Sequence, residues 1–233
     1  MHIPDGFLDP KISYGLIGAA VGALAYALAK VKQAVTELAP QESLAAAGRG
    51  IKSLAGKGRR VLSQLGEQKV YQMGMVAALV FAAQMFNFPV DQGTSGHLIG
   101  AALATVLLGP FMGLLVVASV VIIQALFFAD GGLIAMGANV INMAVIASLV
   151  SYYLYAWTKR YLPEWLSVFI AAWFSVMTAA LAASLEIAFS GTFALGAVLS
   201  AMLTVHAVIG LAEGLITLAL VRAFWLLVRV GEE

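Results

Sequence analysis

The chain begins MHIPDGFLDP, and its second residue is one of only three histidines in 233 residues. A terminal Met-His pair can act as a chelator. The Met1 amine, the His2 amide nitrogen and the His2 imidazole Nδ1 can close a five-membered and a six-membered ring on one ion, leaving three nitrogens in a plane. His97, in DQGTSGHLIG, offers a fourth. A planar nitrogen set with an ionised amide favours Ni(II) or Cu(II), suits Co(II) less well, and disfavours zinc, which prefers a tetrahedron. There is no cysteine, so thiolate ligands, disulfides and a thiol nucleophile are excluded and any metal ligands must be N or O. On the residues alone, His2 can equally be an ordinary surface histidine.

Chelation by the terminus requires that the start be retained. Asp5 and Asp9 precede the first lysine, Lys11, which is not the basic beginning of a cleavable leader. A second residue as large as His2 also disfavours removal of Met1. Pro4 fixes φ and Gly6 permits a tight reversal, so the segment can fold back onto the protein.

Few other polar groups could do chemistry. Thr94 and Ser95, in GTSGH, read as caps of a helix starting near His97, or as part of a rigid loop that presents it. Asn139 and Asn142 stand at i, i+3 spacing in GGLIAMGANVINMA, where both can face one side, either bonding across a bundle or orienting a ligand. His206 and Glu213 fall seven apart on one helix face, which reads as a buried polar pair. Glu186 lies just before the SGTF turn, as a carboxylate behind a ligand or as an interfacial group. Gly15, Ala19, Ala23 and Ala27 form a small-residue stripe that lets another helix approach closely.

The elements that position these residues belong to a membrane protein. Hydrophobic residues make up 62% of the chain and charged residues 11%, which leaves too little polar surface to coat a soluble core. The net charge of +1 indicates no nucleic-acid partner. Apolar stretches at 12–30, 70–88, 97–108, 111–128, 137–157, 165–189 and 195–228 predict an all-α bundle of about seven helices. The third is short and is separated from the fourth only by Gly109-Pro110, so the pair is one broken helix or a tight hairpin.

An odd number of crossings puts the termini on opposite sides. Lys30, Lys32, Arg49, Lys52, Lys57, Arg59, Arg60 and Lys69, then Lys159, Arg160, Arg222 and Arg229, collect on one side if the N-terminus is outside and the C-terminus cytoplasmic. Asp5, Asp9, Asp91 and Asp130 then form an acidic outer mouth that would concentrate cations, with Met1, His2 and His97 beside it. Residues 31–68 read as a basic cytoplasmic excursion, contacting lipid headgroups or a partner. Residues 1–233 otherwise form a single transmembrane domain. No HExxH, paired-carboxylate, P-loop or serine-nucleophile signature is present, so neither an intramembrane enzyme nor an ATPase is supported.

Taken together and in order, MHIPDGFL, GTSGHLIGAALATVLLGP, GGLIAMGANVINMA and HAVIGLAEGLIT resemble the CbiM/NikM family, the substrate-binding components of energy-coupling-factor cobalt and nickel importers. The resemblance spans nearly the whole chain; the excursion after the first helix departs from compact members. It implies that Met1, His2 and His97 hold Ni(II) or Co(II) as the transported substrate, that the terminal loop plugs the bundle from outside, and that Asn139 and Asn142 line the site. It also implies a multi-pass protein of the plasma (inner) membrane that binds no ATP itself. The expected partners are a CbiQ/NikQ-like coupling subunit, CbiO/NikO-like ATPases and a small CbiN/NikN-like subunit, none of them fused here. Two rivals are a stand-alone secondary transporter or channel for metals and a vitamin-binding subunit of the same importer architecture.

Overall fold

A computed structural model describes residues 1–37, 64–90 and 94–230. The body of the excursion and Asp91 lie outside the described residues. The helices are α1 (Pro10–Glu37), α2 (Gln64–Gln84), α3 (Ala101–Leu108), α4 (Pro110–Phe127), α5 (Met136–Thr158), α6 (Glu164–Phe189) and α7 (Leu195–Val230). Five of them, α1 and α4 to α7, contain spans long and apolar enough to cross a membrane. The protein is thus an all-α, multi-pass membrane protein, as its composition predicts.

Two details differ from the sequence expectation. The stretch predicted as helix to residue 88 ends at Gln84, and Phe88–Val90 (β1) pairs antiparallel with Thr94–Gly96 (β2). The third helix starts at Ala101 rather than near His97, because Gly100 adopts φ 76° and the chain before it is held extended. The helix thus begins after Gly100 with no side-chain cap, and Ser95 lies too far ahead of it to be one.

At eight residues, α3 rises only about 12 Å, well short of the hydrocarbon core. Gly109 ends it at φ 84°, Pro110 opens α4, and the two helices fold together as a tight hairpin. The approach is close at Gly113, where an added Cβ would lie 2.8 Å from the Thr105 backbone nitrogen.

Small side chains pack the helical body. The inner stripe of α6 is Ala171, Ala172, Ser175, Val176, Ala179, Ala180 and Ala183, all buried. Against it, Gly210 and Gly214 of α7 face Trp173 and Phe169, and the Trp173 indole donates to the Ala207 carbonyl at 3.1 Å. Lipid supplies no hydrophobic drive between helices, so such close-packed surfaces do the holding. Within α5, Val140–Ile146 widens into a π-helical turn, a distortion frequent at functional sites, immediately after Asn139.

Candidate metal centre

The amino terminus is part of the core. Met1 and Ile3 are each 1% exposed and His2 is 3% exposed, although all three belong to an irregular terminal segment. Buried backbone needs partners, and Ile3 has them on both sides. Asn139 accepts from the Ile3 N–H at 2.8 Å and donates to the Ile3 carbonyl at 3.1 Å, closing a two-way bond like that of a neighbouring strand. The Gly132 N–H donates to the same Ile3 carbonyl. The Asp5 carboxylate accepts from the N–H groups of Leu133, Ile134 and Ala135 at 3.0, 2.8 and 3.1 Å, tying the terminus to the start of α5. Gly131 and Gly132 leave room for this crossing, since a Cβ on Gly131 would meet the His2 ring.

The His97 loop is held as firmly from the other side. Glu213 on α7, 2% exposed, accepts from the Ile99 N–H at 2.6 Å and the Gly100 N–H at 2.9 Å. Gln84 donates to the Ile99 carbonyl at 2.7 Å. The His97 Nδ1–H donates to the Leu98 carbonyl at 2.7 Å, which fixes the tautomer and leaves Nε2 as the lone-pair nitrogen. That Nε2 is buried without a hydrogen-bond partner.

These anchors bring the two predicted imidazoles together: the His2 and His97 ring centroids are 4.5 Å apart, tilted by 32°. The His2 N–H points to Ser95 Oγ at 3.3 Å and His2 Nδ1 to Asp130 Oδ1 at 3.0 Å; Nε2 of His2 is buried and unpartnered. Burial pushes the Met1 amine well below its ordinary value and lowers His2 despite the opposing pull of Asp130. Burial also pushes His97 well below the usual imidazole range, reinforced by positive charge at the terminus and on His2. Its hydrogen bond with His2 holds the Asp130 carboxyl below the usual carboxylate range. Each of these shifts favours the neutral form, the one in which nitrogen binds a metal.

Of the residues singled out in the sequence, Met1, His2, Ser95, His97 and Asn139 converge. Asn142 instead donates to Glu186 at 2.7 Å, and the Thr94 side chain lies outside the described residues. His206 and Glu213 do not pair: His206 Nδ1 bonds the Met202 carbonyl and Glu213 brackets the His97 loop. Asp130 as the direct partner of His2, Gln84 as a brace and Asp5 as a clamp carried no local signal in the sequence. Among the described residues, no group of three or more His, Cys, Asp or Glu side chains is gathered to hold a metal. An ion between His2 and His97 would therefore need main-chain nitrogen, which is what a buried neutral amine and the adjacent His2 amide offer.

Residues 2–229 match the CbiM family, described as a cobalt uptake substrate-specific transmembrane region. A putative fused nickel transport protein NikMN of Archaeoglobus fulgidus is 41% identical over 95% of this chain; the chain spans 64% of that relative's length. A putative metal transport protein of Haloquadratum walsbyi is 39% identical over 93% of this chain and 86% of its own length. A crystal structure of a transition metal transporter superposes with a TM-score of 0.79 at 31% identity, covering 100% of this chain and 95% of that one. With the family match running through both the buried terminus and the helix that braces the His97 loop, the chain belongs to the CbiM family of membrane proteins.

Proposed function

We propose that this chain is the substrate-capture subunit of an ATP-driven importer of the energy-coupling-factor type, taking up Ni(II) or Co(II). The ion is held at the outer face by the Met1 amine, the His2 amide and Nδ1, and His97 Nε2. Carrying this reading is the burial of Met1, His2 and Ile3 against His97, a burial that favours the neutral amine and imidazoles. The His97 tautomer fits a ligand role, since Nδ1 is spoken for and Nε2 is free. The His2 ring requires a rearrangement: its Nδ1 faces Asp130, and its N–H faces Ser95. Capture would exchange those two hydrogen bonds for two metal–nitrogen bonds: the amide proton leaves to solvent, the imidazole proton moves from Nδ1 to Nε2, and the ring turns about Cβ–Cγ away from Asp130.

Asn139 holds the plug in place through Ile3, and Ser95 holds the His2 amide before the ion arrives. The N-terminus faces outward, where Asp5, Asp9 and Asp130 draw cations in, and the basic residues face the cytoplasm. Release inward follows ATP-driven reorientation by the partner coupling subunit and ATPases, with a small membrane subunit assisting. The planar nitrogen set favours Ni(II) over Co(II), while relatives carry both nickel-transport and cobalt-transport names.

The test is to add one residue before Met1. Every side chain survives, but the terminal amine moves out of the chelate. The expected result is loss of copurifying nickel and of the absorption band of planar nickel, with an unchanged melting temperature. Undiminished nickel binding would overturn the proposed ligand set. Uptake by this chain alone in vesicles, driven by an ion gradient, would replace the importer reading with a secondary transporter.

A further inference from the structure

Resting on the metal-capture reading, we propose that His97 and His206 form a second, weaker metal station, which takes the ion from the amino terminus when the plug lets go. His206 is fully buried about a third of the way along a membrane-spanning helix, where a polar side chain is costly unless it has a use. Its Nδ1 bonds the Met202 carbonyl at 2.7 Å and its Nε2 is buried with no partner. This is the arrangement of His97: one nitrogen committed to a backbone carbonyl, the other a bare lone pair. Leaving such an atom unsatisfied costs on the order of 1–3 kcal/mol, so structural packing alone does not account for it.

The His97 loop runs along the face of α7 that carries His206. A Cβ on Gly96 would touch Val205 and Ile209, which flank His206, and the next residues, Ile99 and Gly100, are tied to Glu213 two turns further on. His97 lies between these two attachments. His206 and Glu213 share a helix face at this spacing, so His206 is turned toward the loop.

Among the described residues His206 makes no ring contact with His97, and His2, His97 and His206 do not form one cluster. That separation makes His206 a successor ligand rather than a fifth ligand of the first site. His97 is common to both stations, so an ion can exchange amine and amide for the His206 imidazole without passing free through the core. Two imidazoles without amine or amide bind Ni(II) less tightly and do not enforce a plane. A weaker second station suits release.

The experiment uses the full chain and Ni(II) alone, in four forms: unaltered, His2→Ala, His2→Ala with His206→Gln, and His2→Ala with His97→Gln. The His2→Ala chain should retain one weak nickel without the planar absorption band, and either second substitution should weaken that residue of binding by about tenfold or more. Melting temperature checks each fold, and the asparagine substitution at the same position, His206→Asn or His97→Asn, replaces a glutamine variant that does not fold. If the His206 double variant binds nickel as His2→Ala does, or if His2→Ala binds none, the second station does not exist. A parent chain without planar nickel would refute the capture reading instead, while the His2→Ala comparison would still decide the role of His206.

Discussion

The amino-terminal end and the helical body are built on opposite principles. The α6–α7 body uses alanine, serine and glycine so that helices meet closely, with one polar tie from Trp173 to Ala207. The terminal end is short on regular structure and is held by polar side chains bonded to backbone, each reaching far along the chain: Asn139 to Ile3, Asp5 to residues 133–135, Glu213 to Ile99 and Gly100. Packing tolerates small changes by settling; a bonded anchor loses its function when one acceptor goes. The body should therefore report changes in melting, and the terminal end changes in metal binding.

The largest break between the two should come from His97→Ala, which removes the imidazole shared by both stations and touches no anchor of the plug. Nickel affinity should fall by about a hundredfold or more, with melting little changed; calorimetric titration and a melting curve read both. Asp5→Ala should come next, since three N–H groups at the start of α5 lose their acceptor. Metal binding should weaken by about tenfold while His97 stays in place.

Acid should act at the terminal end. Burial lowers the pKa of the amine, His2 and His97, so the undocked terminus binds more protons than the docked one. The docked, metal-ready form is thus favoured at high pH and lost as pH falls from the ordinary imidazole range through the depressed values. Nickel affinity should drop by about tenfold per pH unit for each proton displaced. Far-ultraviolet circular dichroism of the body should not follow it.

In the body, Gly137→Ala should lower stability by roughly 1–3 kcal/mol, because its Cβ would run into the α1 backbone at Ile17. Thermal unfolding reads this. The smallest effect is expected for Asn142→Ala: its bond runs to Glu186 and away from His2, so nickel affinity should change by less than about threefold. A large loss of binding there would blur the boundary between the two regions.

Much of this was legible in the residues. The apolar stretches placed the last four helices to within two positions and the ends of the first two only to within about seven; the small-residue stripe read on the first helix leaves Gly15 and Ala19 exposed, and close approaches fall instead between α6 and α7 at Gly210 and Gly214. His2 and His97 stood out because a histidine is conspicuous in an apolar chain, and the structure brings them into ring contact. The pairing of His206 with Glu213 was wrong because helical spacing shows that two residues share a face, and says nothing of what faces them. Glu213 found two backbone N–H groups 113 and 114 residues away, a partner with no side-chain signature. Of the two readings of Ser95, the cap fails because the helix begins only after Gly100, while the loop beside the site agrees with its place opposite the His2 N–H.

The sequence by itself determined the membrane class, the helical segments and the stock of nitrogen donors, because hydrophobicity, periodicity and residue chemistry are local properties. Only the tertiary structure decided which polar groups meet. The terminus and the His97 loop are irregular backbone buried in the protein, and each exposed N–H and C=O there had to find a partner. Those partners, Asn139, Asp5, Asp130 and Glu213, come from distant segments, so the site exists only once the bundle has brought them together.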